Sequence, residues 1–388
     1  MFLRLLLAVL LAGAAPAAAQ EASQPDNQEA GFVDRLKGFI EKEPPASDKP
    51  DEPEGFYPRI GGLTTGSGLA LGGGYRNHLF GDAFYGDVSG VVSFKHYVGL
   101  DARLRVPSPL RRLEIWTNAA YRHYPEEDYY GLGSASRRED LSNYGIDSVD
   151  LGAQAIYTLT PILHIGASVG YFQPTVEPGA DANSPSIEQL FTEASAPGLV
   201  TQPDFLHYGV FAGFDTRDAR GNPRRGGFYR ANLEQWNDRG FNAYDFRRFD
   251  VEARHYLPVR GPRHVIAMRG GLSYVNNDLG ERVPFYVFPY VGGANSVRSF
   301  DEFRFRDENA MFISGEYRYG IHTYVQLVGF ADAGKVASRW QDINLTDLKK
   351  GYGIGVRAGT ANRTFVRLDI GTGGGEGTRV FLKFMPSY

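Results

Sequence analysis

Arg298, Glu316 and Asp332 are the residues whose types and spacing suit charge chemistry. An arginine side chain is a planar fork of donors that can pair with one carboxylate while reaching a second. Two carboxylates held close together repel each other unless such a cation sits between them. The chemistry open to this trio is therefore recognition and latching. The surrounding sequence says how the trio is placed. In one stretch Ser314, Glu316 and Arg318 fall on one face, opposite Ile313, Gly315, Tyr317 and Tyr319. In the next, Gln326, Phe330 and Asp332 oppose Val325, Leu327 and Ala331. A side-chain period of two collects the charge on one side of a sheet. If that side is the inside of a closed barrel, Glu316 and Asp332 are lumenal carboxylates on neighbouring strands. A long loop folded inward then brings Arg298 to both. Phe300 packs beside the arginine, and Gly292 and Gly293 let the loop bend. Arginine–acid pairs line any large charged barrel, so the trio alone identifies nothing.

Other chemistry finds less support. The eight histidines, His164, His207, His255 and His322 among them, show no metal-ligand spacing and no nucleophile-elbow serine beside them. The glycine-rich run from Gly371 to Gly375 looks like a phosphate loop, but strands flank it on both sides and no helix dipole stands behind it. It reads as a flexible hairpin loop. The expectation is a protein that is not an enzyme and needs no metal or cofactor.

The chain has 388 residues and a net charge of −4, which supplies no basic field for nucleic acid. It has no cysteine, so size or closure must hold the fold. Residues 1–20 carry Arg4, an apolar run and a small-residue end, the pattern of a secretory signal peptide. Beyond them no apolar run nears the ~18 residues of a membrane helix, and mean hydropathy is negative. Neither fact argues against a membrane β-barrel, in which only every second strand residue meets lipid.

Residues 21–55 are acidic and proline-rich and read as a periplasmic tether. Within it, residues 29–42 carry Phe32, Leu36, Phe39 and Ile40 on one helical stripe. A transient helix in a solvated tether and an apolar stripe that docks on a partner or inside the pore both fit.

From residue 56 the sequence alternates to its end. Asp101, Arg103 and Arg105 oppose Leu100, Ala102 and Leu104; Asp250, Glu252 and Arg254 oppose Phe249, Val251 and Ala253. Arg367 and Asp369, then Arg379 and Lys383, continue the pattern. Short turns at 79–83, 107–110, 160–161, 217–225, 258–263, 320–323 and 360–363 alternate with long loops at 124–144, 174–204, 276–306 and 337–350. That is the habit of outer-membrane barrels. The fold expected is all-β, a transmembrane antiparallel barrel of about 16 strands over residues 56–388, with a water-wide lumen and one long loop folded into it. The alternating last strand and terminal aromatic, Tyr388, suit such a barrel.

These residues resemble a known family. Gly292-Gly293, then Val297-Arg298-Ser299-Phe300, then Glu316, then Phe330-x-Asp332-x-Gly334 are similar to the barrel of BamA/TamA-type outer-membrane assembly proteins, the bacterial surface antigen superfamily. The resemblance implies that Val297, Arg298 and Phe300 form the tip of a loop latched to Glu316 and Asp332 on the wall, with Gly334 at the strand that receives it. Asp215, Asp218, Pro223 and Gly227 look like the family's inner-rim turn after the eighth strand. Two departures stand out. Ser299 replaces a glycine, which strains the tip if that position takes a positive φ. Residues 21–55 are too few for even one of the family's POTRA domains, so a short member without them is expected. The resemblance further implies an outer-membrane protein that assists insertion or translocation of proteins or other envelope components. It would do so through a weak seam between the first strand (about 56–63) and the last (about 378–384). Its partners would be outer-membrane lipid and a periplasmic protein or client β-barrel. A passive or plugged pore is the alternative.

Overall fold

The computed structural model describes residues 54–64, 66–80, 83–108, 110–277 and 280–384. The expected leader, the 29–42 helix and Tyr388 lie outside these residues, as does nearly all of the expected tether.

Alternation becomes a sheet of sixteen antiparallel strands, each laddered to its neighbour in sequence. In chain order these are β1 (Gly55–Gly61), β2 (Ala70–Leu79), β3 (Phe84–Ser93), β4 (Val98–Val106), β5 (Leu113–Tyr129), β6 (Ser142–Thr160), β7 (Leu163–Pro178) and β8 (Phe205–Asp215). Beyond the midpoint come β9 (Gly226–Asp238), β10 (Phe246–Pro258) and β11 (His264–Asn277). A short pair, β12 (Tyr290–Val291) and β13 (Phe305–Arg306), forms its own sheet within the following loop. The wall resumes with β14 (Asn309–His322), β15 (Val325–Ala337), β16 (Lys349–Gly359), β17 (Thr364–Thr372) and β18 (Thr378–Phe384). Turns of few residues close one rim and longer loops the other, so β1 begins and β18 ends at the short-turn rim.

Residues directly opposed across a ladder share a face. Ser314 opposes Asp332 and Glu316 opposes Phe330, so the polar series of β14 and β15 points the same way, into the barrel. Ile313, Tyr317, Leu327, Val380 and Leu382 point outward and are exposed. An arginine on that outer face would cost ~2–4 kcal/mol at a bilayer midplane. A one-residue slip would turn every inward charge outward, and the register is fixed accordingly.

Three features depart from expectation. First, the long-loop rim is taller than the loop spacing suggested. β5 runs to Tyr129, past a register shift between Tyr124 and Glu127, and β6 begins at Ser142. Both ends of the expected 124–144 loop are therefore strand, and the loop itself is confined to residues 130–141. β7 likewise extends to Pro178. Second, the outer half of the lumen is not open water. An apolar cluster fills it, in which Trp236 packs against Phe172, Phe205 and Phe246, and Phe285 against Tyr129 and Tyr144. Large aromatic side chains bury much area for little rotamer entropy, which suits them to plugging a wide barrel. Third, the turn at 216–225 stays on the short-turn rim but does not stay beside its own strands. Gly221 bridges to Arg363, Thr364 N–H donates to the Gly221 carbonyl (3.1 Å), and Asn222 Nδ2 donates to the Thr360 carbonyl (3.0 Å). Its ends leave β8 and β9, half the barrel away from β16 and β17. The turn is a strap across the short-turn mouth.

Candidate functional site

The loop at 278–308 enters the lumen through the β12–β13 pair and turns back on itself at its tip. Gly293 N–H donates to the Phe300 carbonyl at 3.0 Å, and the Ser296 hydroxyl both accepts from Gly292 N–H (2.8 Å) and donates to the Gly292 carbonyl (2.7 Å). Gly292 takes φ +128°, and a Cβ there would lie 2.2 Å from the Asp301 carbonyl oxygen. Only glycine makes this entry turn without strain. Val297 and Phe300 are buried with Val291, Phe305, Ala310 and Val336, and the Phe300 and Phe305 rings meet edge to face.

Between these two apolar anchors Arg298 is directed at the wall and is 1 % exposed. Its Nε and Nη2 donate to the two oxygens of Asp332 at 2.8 and 2.7 Å, and its backbone N–H adds a third bond at 3.1 Å. Its Nη1 donates to Glu316 at 2.5 Å and reaches Asp369 at 3.4 Å. The guanidinium lies 3.6 Å over the Phe330 ring, and Ser314 bridges Arg298 and Asp332 (3.0 and 2.7 Å). Arg298, Glu316 and Asp332 therefore meet as three lumenal groups.

Sequence reasoning missed the rest of the network. Asp369 accepts from Arg357 and Arg367, both at 2.6 Å, while Glu316 accepts from Arg318 at 2.9 Å and Arg357 at 3.1 Å. The centre holds Arg298, Arg318, Arg357 and Arg367 against Glu316, Asp332 and Asp369. These acids are buried (3 %, 4 % and 0 % exposed) and not bathed in a water-wide lumen. Burial of this kind is tolerable only where every charge is paired and hydrogen-bonded. The signal available was the alternation that put Arg367 and Asp369 on the inner face. What it lacked was the stagger of the barrel, which decides their depth.

The tip approaches the wall so closely that the receiving strands carry glycine. An added Cβ at Gly334 would meet Val291 and Val297; at Gly351, the Ser299 hydroxyl at 2.3 Å; at Gly371, the Arg298 carbonyl oxygen at 2.0 Å; at Gly374, the Phe300 ring. The glycine run after β17 is a hairpin loop as expected, and part of it is also the seat of the loop tip. Ser299 is not among the residues with positive φ, so it is unstrained, and the missing side chain at Gly351 makes room for it.

A second set of ties holds the loop to β18. Arg379 forks onto Asp301 (2.5 and 2.6 Å), Arg304 Nε donates to both oxygens of Glu376 (2.9 and 3.0 Å) in the hairpin leading into β18, and Lys383 donates to Asn295 (3.1 Å). Nearby on the loop, burial pushes the Asp307 carboxyl up to about 6.

At the strap, Asp215 pairs with Arg217 (2.9 Å) and Arg220 (3.3 Å), and Asp218 Oδ1 accepts from the N–H groups of Ala219, Arg224 and Arg225. Pro223 is buried, and Gly227 N–H donates to the Thr216 hydroxyl (2.9 Å). The histidines sit apart from the network. His207 stacks on Trp236, His164 lies under Gly213, His255 meets the Tyr229 hydroxyl and His322 lies beside Tyr324.

At the seam, β1 and β18 come alongside each other, yet among the described residues no ladder joins them. A cleft of about 260 Å³ lies between Gly61, Gly62 and Gly68 of the first hairpin and Val380 to Phe384 of β18.

The arrangement agrees with known proteins. The barrel is similar to that of BamA from Haemophilus ducreyi lacking POTRA domains 1–3, with a TM-score of 0.64 and 14 % identity over 86 % of this chain and 70 % of that one. It is also similar to CdiB from Escherichia coli, with a TM-score of 0.56 and 16 % identity over 86 % of this chain and 63 % of that one. At these identities the likeness is one of fold. A comparison with curated protein sequences gives no match. The sequence profile described as the Omp85 superfamily domain matches residues 94–381, most of the sixteen-stranded wall, and the chain belongs to the Omp85 superfamily.

Proposed function

We propose that this protein sits in the outer membrane and assists the insertion or translocation of proteins, or of other envelope components, through the seam between its first and last strands. The observation that carries the reading is the missing ladder: every other neighbouring pair of wall strands is hydrogen-bonded along its length, and among the described residues β1 and β18 are not. Both strands are short, and the hairpin beside the seam is rich in glycine, which packs nothing across a ladder. An unladdered edge can pair with an incoming strand by β-augmentation. The latch has a supporting role, since it holds the loop on β14 to β17 and leaves the seam as the weakest line in the wall. No bond-making chemistry is assigned to it. Its partners on this reading are outer-membrane lipid, a client β-barrel and a periplasmic protein.

Cysteines at Gly62 and Leu382, in a chain that has no other cysteine, test the reading. The oxidised, locked barrel is expected to leave client barrels unassembled in cells depleted of the wild type, and a reductant is expected to restore them. A locked barrel that supports everything the free one does ends the proposal.

The filled lumen favours one other reading, a plugged conduit. Planar bilayers separate the two. The aromatic cluster and the strap predict little current from the wild type; a large steady current that changes with Arg298→Ala would favour the conduit.

A further inference from the structure

The two edges of the seam are not equivalent. β1 reads Gly-Phe-Tyr-Pro-Arg-Ile-Gly, with Pro58 at its centre, and β18 reads Thr-Arg-Val-Phe-Leu-Lys-Phe, with no proline. In an antiparallel ladder the N–H and C=O of one residue point to the same neighbour, and successive residues point to opposite neighbours. Proline has no N–H, so a strand accepts it where its nitrogen faces away from the laddered partner. Among the described residues β1 is laddered to β2 alone, and that ladder runs unbroken from Gly55 to Gly61, with Pro58 opposite Gly73. The nitrogen of Pro58 therefore faces the seam, together with the backbone groups of Phe56 and Ile60. The central donor of that edge is missing, and proline is one of the devices that blunt a sheet edge against pairing. On β18, alternate residues of a strand from Thr378 to Phe384 face the seam, and every one of them has its donor.

The strands also differ in what stands behind them. Tyr57, Pro58 and Arg59 lie opposite Gly74, Gly73 and Gly72 of β2, so no direct side-chain pair supports the middle of the β1 ladder. The inward side chains of β1 tie it to its own side of the seam. The Tyr57 hydroxyl donates to Asp87 (2.6 Å), and Arg59 donates to Ser89 and Asp101 (2.7 and 2.9 Å), on β3 and β4. β18 is laddered to β17 from end to end, and its inward Arg379 and Lys383 are held by the lumenal loop at Asp301 and Asn295. Between them Val380 and Leu382 point outward, 63 % and 51 % exposed. β18 is thus a complete edge pinned from within, and β1 a blunted one on a glycine-rich hairpin.

We propose, resting on the seam as the working site, that β18 is the edge that receives an incoming strand and β1 the edge that gives way. The partner this edge fits is an amphipathic strand about as long as β18, without a central proline, apolar on the side it shares with Val380 and Leu382. It pairs antiparallel, as every ladder of the wall does, so it runs from the short-turn rim outward, in the direction β1 takes. In a barrel whose two ends lie at that rim, this is the direction of the odd-numbered strands. A strand laid on β1 instead leaves one acceptor unmet opposite Pro58, which disfavours that edge about fivefold or more.

Photo-cross-linking of the intact protein in phosphatidylcholine vesicles tests this. The probe is a biotinylated peptide copying residues 55–63 with Pro58→Thr, a strand with all its donors. A benzophenone side chain in place of Leu382 on β18 is expected to capture it at least about fivefold more than one in place of Ile60 on β1. The same group in place of the outward Leu327, whose strand is laddered on both sides, gives the background. Pro58→Thr in the protein is expected to bring the ratio of the two edges close to one, whether the completed β1 edge takes the peptide itself or closes onto β18. With a cysteine at its N-terminus, the peptide is expected to form a disulfide faster with Phe384→Cys, at the short-turn end of β18, than with Thr378→Cys at the other end. Equal capture at the two edges, greater capture at Ile60, a ratio that Pro58→Thr leaves unchanged, or the reverse order of disulfides overturns the proposal and leaves the seam reading standing. Capture at background from both edges overturns the seam reading and this proposal with it.

Discussion

Replacing Arg298 with alanine tests the latch, and the structure says which partner suffers. Glu316 keeps Arg318 and Arg357, and Asp369 keeps Arg357 and Arg367. Asp332 keeps only the Ser314 hydroxyl and the backbone N–H of residue 298, for Arg298 is its one cation among the described residues. The substitution thus strands one buried carboxylate. Breaking a buried pair in this way costs about 3–5 kcal/mol, against about 0–1 for a pair on the surface. The loss falls on docking of the loop, because Asp332 is wall and Arg298 is loop. At 1.4 kcal/mol per tenfold, the undocked population should rise by about 10²–10³ or more.

A thiol at Ser299, which is wholly buried, reads this out in a cysteine-free background. Its labelling rate is expected to rise by that factor in Arg298→Ala, while the barrel remains heat-modifiable on gels. Adding Asp332→Asn removes the stranded charge and leaves a neutral group whose unmet hydrogen bonds cost about 1–3 kcal/mol, so about half of the loss should return. Adding Glu316→Gln should return nothing, since that acid still has two arginines. A loss under about 1 kcal/mol, or recovery with Glu316→Gln in place of Asp332→Asn, refutes the assignment of Asp332 as the dependent partner.

Other outcomes follow from the same geometry. Gly371→Ala puts a methyl 2.0 Å from the Arg298 carbonyl, which is backbone and cannot swing away, so labelling at Ser299→Cys should rise about as far as in Arg298→Ala; Gly329→Ala, with nothing within 4 Å, should change it little. Asp307 binds its proton more tightly in the docked loop than in the open one, since burial raises its carboxyl to about 6. Its effect therefore favours docking below about pH 4, weakens as pH rises from about 4 to 6, and is constant above that. Amide exchange near residue 307, corrected for the intrinsic rate, should show loop protection falling over that window, and Asp307→Asn should flatten the curve.

What the sequence disclosed about this centre follows the distance over which each contact is specified. Glu316 and Asp332 were legible because a strict period of two, on strands joined by a two-residue turn, leaves no freedom about which side chains share a face. Arg298 was legible because Val297-Arg298-Ser299-Phe300, set between a glycine pair and those two acids, resembles the family's inward loop tip; the length of the loop alone does not send it inward. Asp369 meets Arg298 from 71 residues away, and Arg357 meets Glu316 across 41. Their depth in the wall depends on accumulated register through β16 and β17, including a shift at Ala358/Gly359, which no local pattern encodes. Gly351 and Gly371 were illegible for another reason: a glycine seat is defined by what rests on it. The overlong loop at 124–144 came from Pro125 and the bulge beside it, which interrupt alternation without ending the strand.

The ties to β18 were equally hidden, and they change how the seam should be understood. β18 has a full ladder to β17 and none to β1 among the described residues. Its inner face, however, is bound by the loop at Asp301 and Asn295, and the hairpin leading into it is bound at Glu376. Those groups belong to the loop whose tip Arg298 anchors. The last strand is therefore held from inside the barrel more firmly than from its open edge. Loss of the latch should then loosen β18 as well as the tip, whereas a defect in β1 should leave the latch intact. Labelling at Phe381→Cys, a buried position on the inner face of β18, and at Ser299→Cys should rise together in Arg298→Ala, because one loop carries both sets of contacts. If only Ser299→Cys responds, the ties at Asp301 and Glu376 hold the strand without help from the tip, and loop and seam are separate devices.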